Sequence, residues 1–121
     1  MTPPAPALPH GIHLIADLAA SRGLDDPAFV EAALRDAAAA ARVTLLGLNL
    51  HHFGAAFGVT GVALLAESHI SIHTWPEHGL AAIDIFTCGA DARPDAALDA
   101  LVDRFAAKVQ RLERIERLGR A

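Results

Sequence analysis

Val43-Thr-Leu-Leu-Gly-Leu-Asn-Leu-His-His-Phe53, Val59-Thr-Gly-Val-Ala-Leu-Leu-Ala66 and Ser68-His-Ile-Ser-Ile-His-Thr-Trp75 are three apolar runs separated by very little sequence. Runs of this length, bounded by Gly, Pro and charged residues, read as strands. Gly54 to Gly58 turns the first run into the second, and the Pro76 to Gly79 turn leads into a fourth strand, Leu80 to Thr87. Strands joined this closely pair antiparallel, so the middle of the chain reads as a β-meander.

Upstream, Ile12 to Leu18 has enough β-branched and apolar character for another strand. Asp26 followed by Pro27 is an N-cap with proline at the first helical position, and the Ala-rich run to Ala41 favours helix. Val30, Leu34, Ala37 and Ala41 lie on one side of it. Downstream, Pro94 opens a second helix in which Leu98, Leu101, Val102, Phe105 and Val109 repeat at three and four residues. Arg111 to Arg120 suits either a last strand or a charged helical tail. Helices beside a run of antiparallel strands predict an α+β two-layer sandwich, with both helices on one face of an antiparallel-rich sheet.

The chain of 121 residues suits one domain, 11–121, behind a Pro- and Ala-rich tail, 1–10, that lacks the pattern of a secretory signal. With 53% hydrophobic and 20% charged residues the composition is that of a globular protein, and no apolar run is long enough for a bilayer-spanning helix. A net charge of −4 without a basic cluster argues against nucleic acid and leans toward a cationic small molecule. The single cysteine, Cys88, excludes an internal disulfide and suits a reducing compartment, the cytoplasm by default.

Two of the three serines fall in Glu67-Ser-His-Ile-Ser-Ile-His-Thr-Trp-Pro-Glu77. On an extended strand His69, Ser71 and His73 share one face and Ser68, Ile70 and Ile72 the other. Three readings of this cluster stay open on the residues alone. The histidines could be ordinary polar residues of a strand or subunit contact. His69 and His73, with His51, His52 or Cys88, could bind zinc, although no known zinc spacing is present. Or a histidine could serve a nucleophilic serine, although the Gly-x-Ser-x-Gly elbow of hydrolases is absent.

The stretch Gly58-Val-Thr-Gly-Val-Ala-Leu-Leu-Ala-Glu-Ser-His-Ile-Ser-Ile-His-Thr-Trp-Pro-Glu-His-Gly79, followed by Ala82-Ile-Asp-Ile-Phe-Thr-Cys-Gly89, resembles the prokaryotic form of the S-adenosylmethionine decarboxylase proenzyme. The resemblance extends more loosely from Gly11 to Arg117. It implies self-cleavage between Glu67 and Ser68 into chains 1–67 and 68–121, with Ser68 becoming a pyruvoyl group. In that chemistry Ser68 Oγ attacks the Glu67 carbonyl, and elimination then releases Glu67 as a carboxylate. The residue left at position 68 loses ammonia to give the ketone.

By the same resemblance His73 takes a proton during processing, Thr60 supplies a hydroxyl that polarises the ester, and Cys88 is the proton donor of turnover. The substrate's α-amine would form a Schiff base with the pyruvoyl ketone, an electron sink for the bond that releases carbon dioxide. Glu77 would hold the ribose hydroxyls and Phe53 stack on adenine, while Trp75 and Phe57 could attract the sulfonium. The family also implies a homodimer or larger assembly with sheets packed face to face, and a place in polyamine (spermidine) synthesis. Several positions depart from the family pattern: Ile12 stands where arginine is usual, Leu80 where tyrosine is, and the 53–58 loop is one residue longer than usual and lacks the usual proline. These bear on substrate identity, and ornithine or arginine, also cationic α-amino acids, are the alternatives.

Overall fold

The computed structural model describes residues 8–119. Six strands, β1 (His10–Ala19), β2 (Leu45–His52), β3 (Val59–Leu65), β4 (Ser68–Trp75), β5 (Leu80–Cys88) and β6 (Lys108–Leu118), form one sheet in the order β2-β3-β4-β5-β1-β6. Every neighbouring pair is antiparallel. Helices α1 (Pro27–Ala40) and α2 (Pro94–Arg104) pack on each other and on one face of that sheet, the α+β two-layer arrangement expected.

Asp26 caps α1, its carboxylate accepting from the main-chain N–H of Ala28 and Phe29 at 3.0 and 3.3 Å. Alternation then sorts the sheet residues: Leu14, Leu18, Val59, Leu65, Ile70, Ile72, Ile83 and Ile85 point toward the helices, where Leu34, Leu101 and Phe105 complete the core. Thr74 is the polar exception on this side. Its hydroxyl donates to the Leu24 carbonyl at 2.6 Å and accepts from the Val59 N–H at 2.8 Å, so its burial leaves nothing unpaired. Beside it the chain passes so closely that a Cβ on Gly58 would lie 1.9 Å from the Thr74 carbonyl oxygen, which only glycine permits.

Some expectations need correcting. Helix α2 stops at Arg104, and Val109 lies on β6: the chain turns at Phe105, Ala106 and Ala107, and the periodic apolar pattern crosses from helix to strand without a break. Of the two readings left open for the C-terminal segment, the strand is the one found, β6 pairing with β1 so that its backbone is satisfied; Arg120 lies outside the described residues. Strand β1 starts at His10, inside the segment read as tail; residues 1–7 of that tail lie outside the described residues. Among the described residues no helix is long and apolar enough to cross a membrane.

The second face of the sheet carries no helix. It presents Ile15, Leu64, Trp75 and Ile115, each at least 40% exposed, around a polar centre.

Candidate active site

Strand β4 runs the length of the site. Its first residue, Ser68, follows a two-residue turn, Ala66-Glu67, that joins it to β3 with Leu65 opposite Ser68. The last residue of β5 reaches the same place, and the Cys88 N–H donates to Ser68 Oγ at 3.2 Å. Glu67 and Cys88 line one broad cleft of about 1080 Å³ between the strand ends and the start of α2. Burial first, then the negative charge of Glu67, push the Cys88 thiol above its ordinary pKa, so it stays protonated at neutral pH. Glu67, Ser68 and Cys88 thus lie together at this end of the sheet.

Thr60 and His73 do not join them. They face each other across β3 and β4, with Thr60 Oγ1 3.1 Å from His73 Nδ1. His73 lies five residues along the strand from Ser68, a span of about 17 Å at the usual rise per residue. At this far end Phe53, Phe57, Thr60, His73, Trp75 and Glu77 line a second cleft of about 310 Å³. All four residues expected to hold a substrate therefore share one pocket, whose lining includes Phe53, Phe57 and Trp75 and the single carboxylate of Glu77. A ring with adjacent hydroxyls matches that lining, since the rings offer stacking faces and the carboxylate accepts from hydroxyls.

Between the two ends, on the open face, lies a cluster that the motifs did not single out. Asp84 Oδ2 accepts from His13 Nε2 at 2.7 Å and from His69 Nε2 at 2.8 Å, and Oδ1 accepts from the Ser71 hydroxyl. Burial works against the charge on Asp84, but the bonds from Ser71, His13 and His69 outweigh it and hold its carboxyl below the usual aspartate range. The sequence signal was an acid between Ile83 and Ile85 on an alternating strand, which places it amid the open face.

The His13, His69 and Asp84 ligand atoms lie within 4.8 Å of one another, a spacing that a metal ion could bridge. The arrangement of protons argues otherwise. An Arg117 N–H donates to His13 Nδ1 at 2.9 Å, so the neutral ring carries its proton on Nε2 and turns it toward Asp84 rather than a lone pair toward a metal. The zinc set suggested by the sequence is not assembled either: His69 belongs to this network, His73 pairs with Thr60, and His51 packs against Phe53 at 4.6 Å between ring centres.

Comparison with known proteins bears on this geometry directly. A family model described as S-adenosylmethionine decarboxylase matches residues 12–118. The chain belongs to the S-adenosylmethionine decarboxylase family. Proteins named S-adenosylmethionine decarboxylase proenzyme are similar along most of their length: one from Thermomicrobium roseum is 47% identical over 85% of this chain and 87% of its own. Another, from Methanococcus aeolicus, is 52% identical over 77% of this chain and 80% of its own. The crystal structure of the adenosylmethionine decarboxylase from Aquifex aeolicus matches with a TM-score of 0.76 at 34% identity, covering 90% of this chain and 89% of that one. The shared fold extends the likeness well beyond the Glu67–Glu77 motif. Ile12 and Leu80, the positions expected to depart from the family pattern, each line a cleft, Ile12 together with Cys88 and Leu80 together with Trp75.

Proposed function

We propose that this protein is a self-processing, pyruvoyl-dependent S-adenosylmethionine decarboxylase of the cytoplasm, cut between Glu67 and Ser68 and active as a homodimer or larger assembly. The observation that carries it is the Ser68 hydroxyl at the tip of a tight hairpin, directly after Glu67 and against the Cys88 N–H. A serine so placed can cut the preceding peptide bond, since a nucleophile held against its target converts an intermolecular attack into an intramolecular one. The residues here suit a pyruvoyl group on the new N-terminus: the strand end holds it, and Cys88 lines the adjoining cleft. When formed, that group supplies the electron sink for loss of carbon dioxide. Cys88, kept protonated, then has a proton to give to the carbon from which carbon dioxide left.

The aromatic cleft favours S-adenosylmethionine over the alternatives. Phe53 offers a stacking face to adenine, Glu77 accepts from the ribose hydroxyls, and Trp75 and Phe57 offer ring faces to a sulfonium. Ornithine and arginine have no ring to fill it.

Because about 17 Å of strand separates this cleft from Ser68, one chain does not close a whole site around a single substrate. We place the missing half in a second copy packed open face to open face. A two-fold relation sets opposite ends of the two sheets over each other, so the sheet end that carries Ser68 and Cys88 in one protomer lies over the end that carries His73 and Thr60 in the partner subunit. The uncovered Ile15, Leu64 and Ile115 supply the apolar contact for such packing.

The first test is the intact mass of denatured protein. Two chains, the second beginning at position 68 and lighter by one ammonia than hydrolysis leaves it, are expected, together with carbon dioxide from carboxyl-labelled S-adenosylmethionine. A single uncut chain in active protein would overturn the reading. Co-expression tests the shared site. Ser68→Ala and His73→Ala are each inactive alone, and random pairing restores about a quarter of the wild-type sites, one per hybrid dimer. A hybrid no better than its parents excludes a site built from two chains.

A further inference from the structure

Glu67 has φ of 55°, in the left-handed region, at the second position of the two-residue turn between β3 and β4. Two-residue hairpin turns favour a positive φ at the first position or at both, and a turn with positive φ only at the second calls for glycine or asparagine there. Ala66, the first position, is not left-handed. The turn is therefore of the pattern that suits a hairpin poorly, and its critical place holds a residue that resists it.

Among the described residues the other non-glycine residues with positive φ are Arg42, Ala56, Ala106 and Leu118. Arg42 and Ala106 directly follow the C-caps of α1 and α2, where one left-handed residue is the usual helix ending. Ala56 lies in the longer 53–58 loop and Leu118 at the end of the edge strand β6. Glu67 alone sits between strands joined by two residues, and it alone supplies the carbonyl of the bond to be cut.

The surroundings prevent the turn from relaxing. The Ala66 N–H donates to the Thr44 carbonyl at 2.9 Å, Leu65 and Ser68 are paired across the hairpin, and Ser68 Oγ accepts from the Cys88 N–H. An unfavourable backbone conformation persists where its neighbours over-determine it in this way.

We infer that Glu67 is a positioning residue for self-cleavage through its main chain: its left-handed backbone holds the turn under strain, and cutting releases it. This rests on the self-cleavage reading above and adds to it. Ser68 Oγ adds to the Glu67 carbonyl carbon, the C–N bond breaks, and the hydroxyl proton passes to the freed amine. The resulting ester puts Oγ and Cβ into the path between the strands, and the lengthened turn lets Glu67 leave the left-handed region. Loss of the Ser68 Cα proton then forms a double bond to Cβ, and Oγ departs with the electron pair as part of the Glu67 carboxylate. Glu67 is then a free chain end, so the strain cannot be restored by resealing.

The test compares Glu67→Ala, Glu67→Asn and Glu67→Gly in freshly made precursor, all three lacking the carboxylate but tolerating a positive φ to increasing degree. Cleavage is expected to slow in that order, with about five- to thirty-fold between alanine and glycine, the factor that the left-handed conformation costs an L-residue. In an uncleavable Ser68→Ala background the melting temperature should rise in the same order. Equal cleavage rates, or a slow glycine variant with no rise in melting temperature, overturn the inference, the second result meaning that the turn only lost order. Absence of cleavage in the wild-type chain would instead sink the self-cleavage reading, and the melting series would still report whether the turn is strained.

Discussion

At one end of β4 the reactive groups are placed by the main chain; at the other they are placed by side chains packed on one another. Ser68 Oγ is held by a backbone N–H and preceded by a backbone turn, so its position depends on strand register more than on neighbouring side chains. His73 is oriented by the Thr60 hydroxyl and sits beside Trp75, 6.3 Å between ring centres, in a cleft of three aromatic residues. The contrast matches the two tasks proposed for these ends. Cutting a peptide bond needs one atom held in one place, whereas recognising a substrate needs shape and apolar area. It also explains how the family motif holds both within ten residues while the fold keeps them apart.

The largest effect should come from Ser68→Ala, which removes the proposed nucleophile: complete loss of cleavage and of carbon dioxide release, with the melting curve little changed, read by mass spectrometry and calorimetry. A cut chain in this variant would break the assignment of the two ends. His73→Ala leaves the Ser68 end intact and removes the proposed proton carrier, so processing or turnover should fall by about 10²- to 10⁴-fold. A change of less than about threefold would detach the far end from the chemistry.

Asp84 lies between the ends and tests whether they are coupled. Asp84→Asn replaces an acceptor of three hydrogen bonds with a group that turns N–H toward donors, and should cost about 1–3 kcal/mol in urea unfolding. Its native carboxyl lies below the ordinary value, so it stabilises the fold above the unfolded pKa of about 3.9, and that contribution is lost as pH falls from there through the lowered folded value. The variant should therefore lose part of the wild-type pH dependence below about pH 4. An unchanged acid profile would assign the low pKa to something other than this network.

The smallest effect concerns the Ser68 end alone. The charge of Glu67 is the second cause, after burial, of the raised Cys88 thiol pKa. Glu67→Gln should move the pH midpoint of Cys88 alkylation downward, and should leave the chemistry of the His73 end untouched. A midpoint that stays put would leave burial as the only cause.

Much of this was legible beforehand. Alternation in β4 separated His69, Ser71 and His73 from Ile70 and Ile72, and the structure buries the two isoleucines as that pattern requires. The Asp26-Pro27 start of α1 was readable because capping is local chemistry. The end of α2 was not, because Val109 continues an apolar period that helix and strand can share for one turn. The Asp84 network was hidden for another reason: His13, His69, Asp84 and Arg117 come from four strands, and only sheet order makes β5 and β6 the two neighbours of β1.

By itself the sequence determined which residues carry reactive groups, which strands they lie on and which face each one takes, because side-chain type and the two-residue strand period are properties of local chain. Only the tertiary structure decided which of them meet. It joined Cys88 to Ser68 across twenty residues, put His73 beside Thr60 instead, and left the two groups at opposite ends of β4. Such proximity depends on pairing between strands distant in sequence, and one shift of register would have turned each of these side chains to the other face.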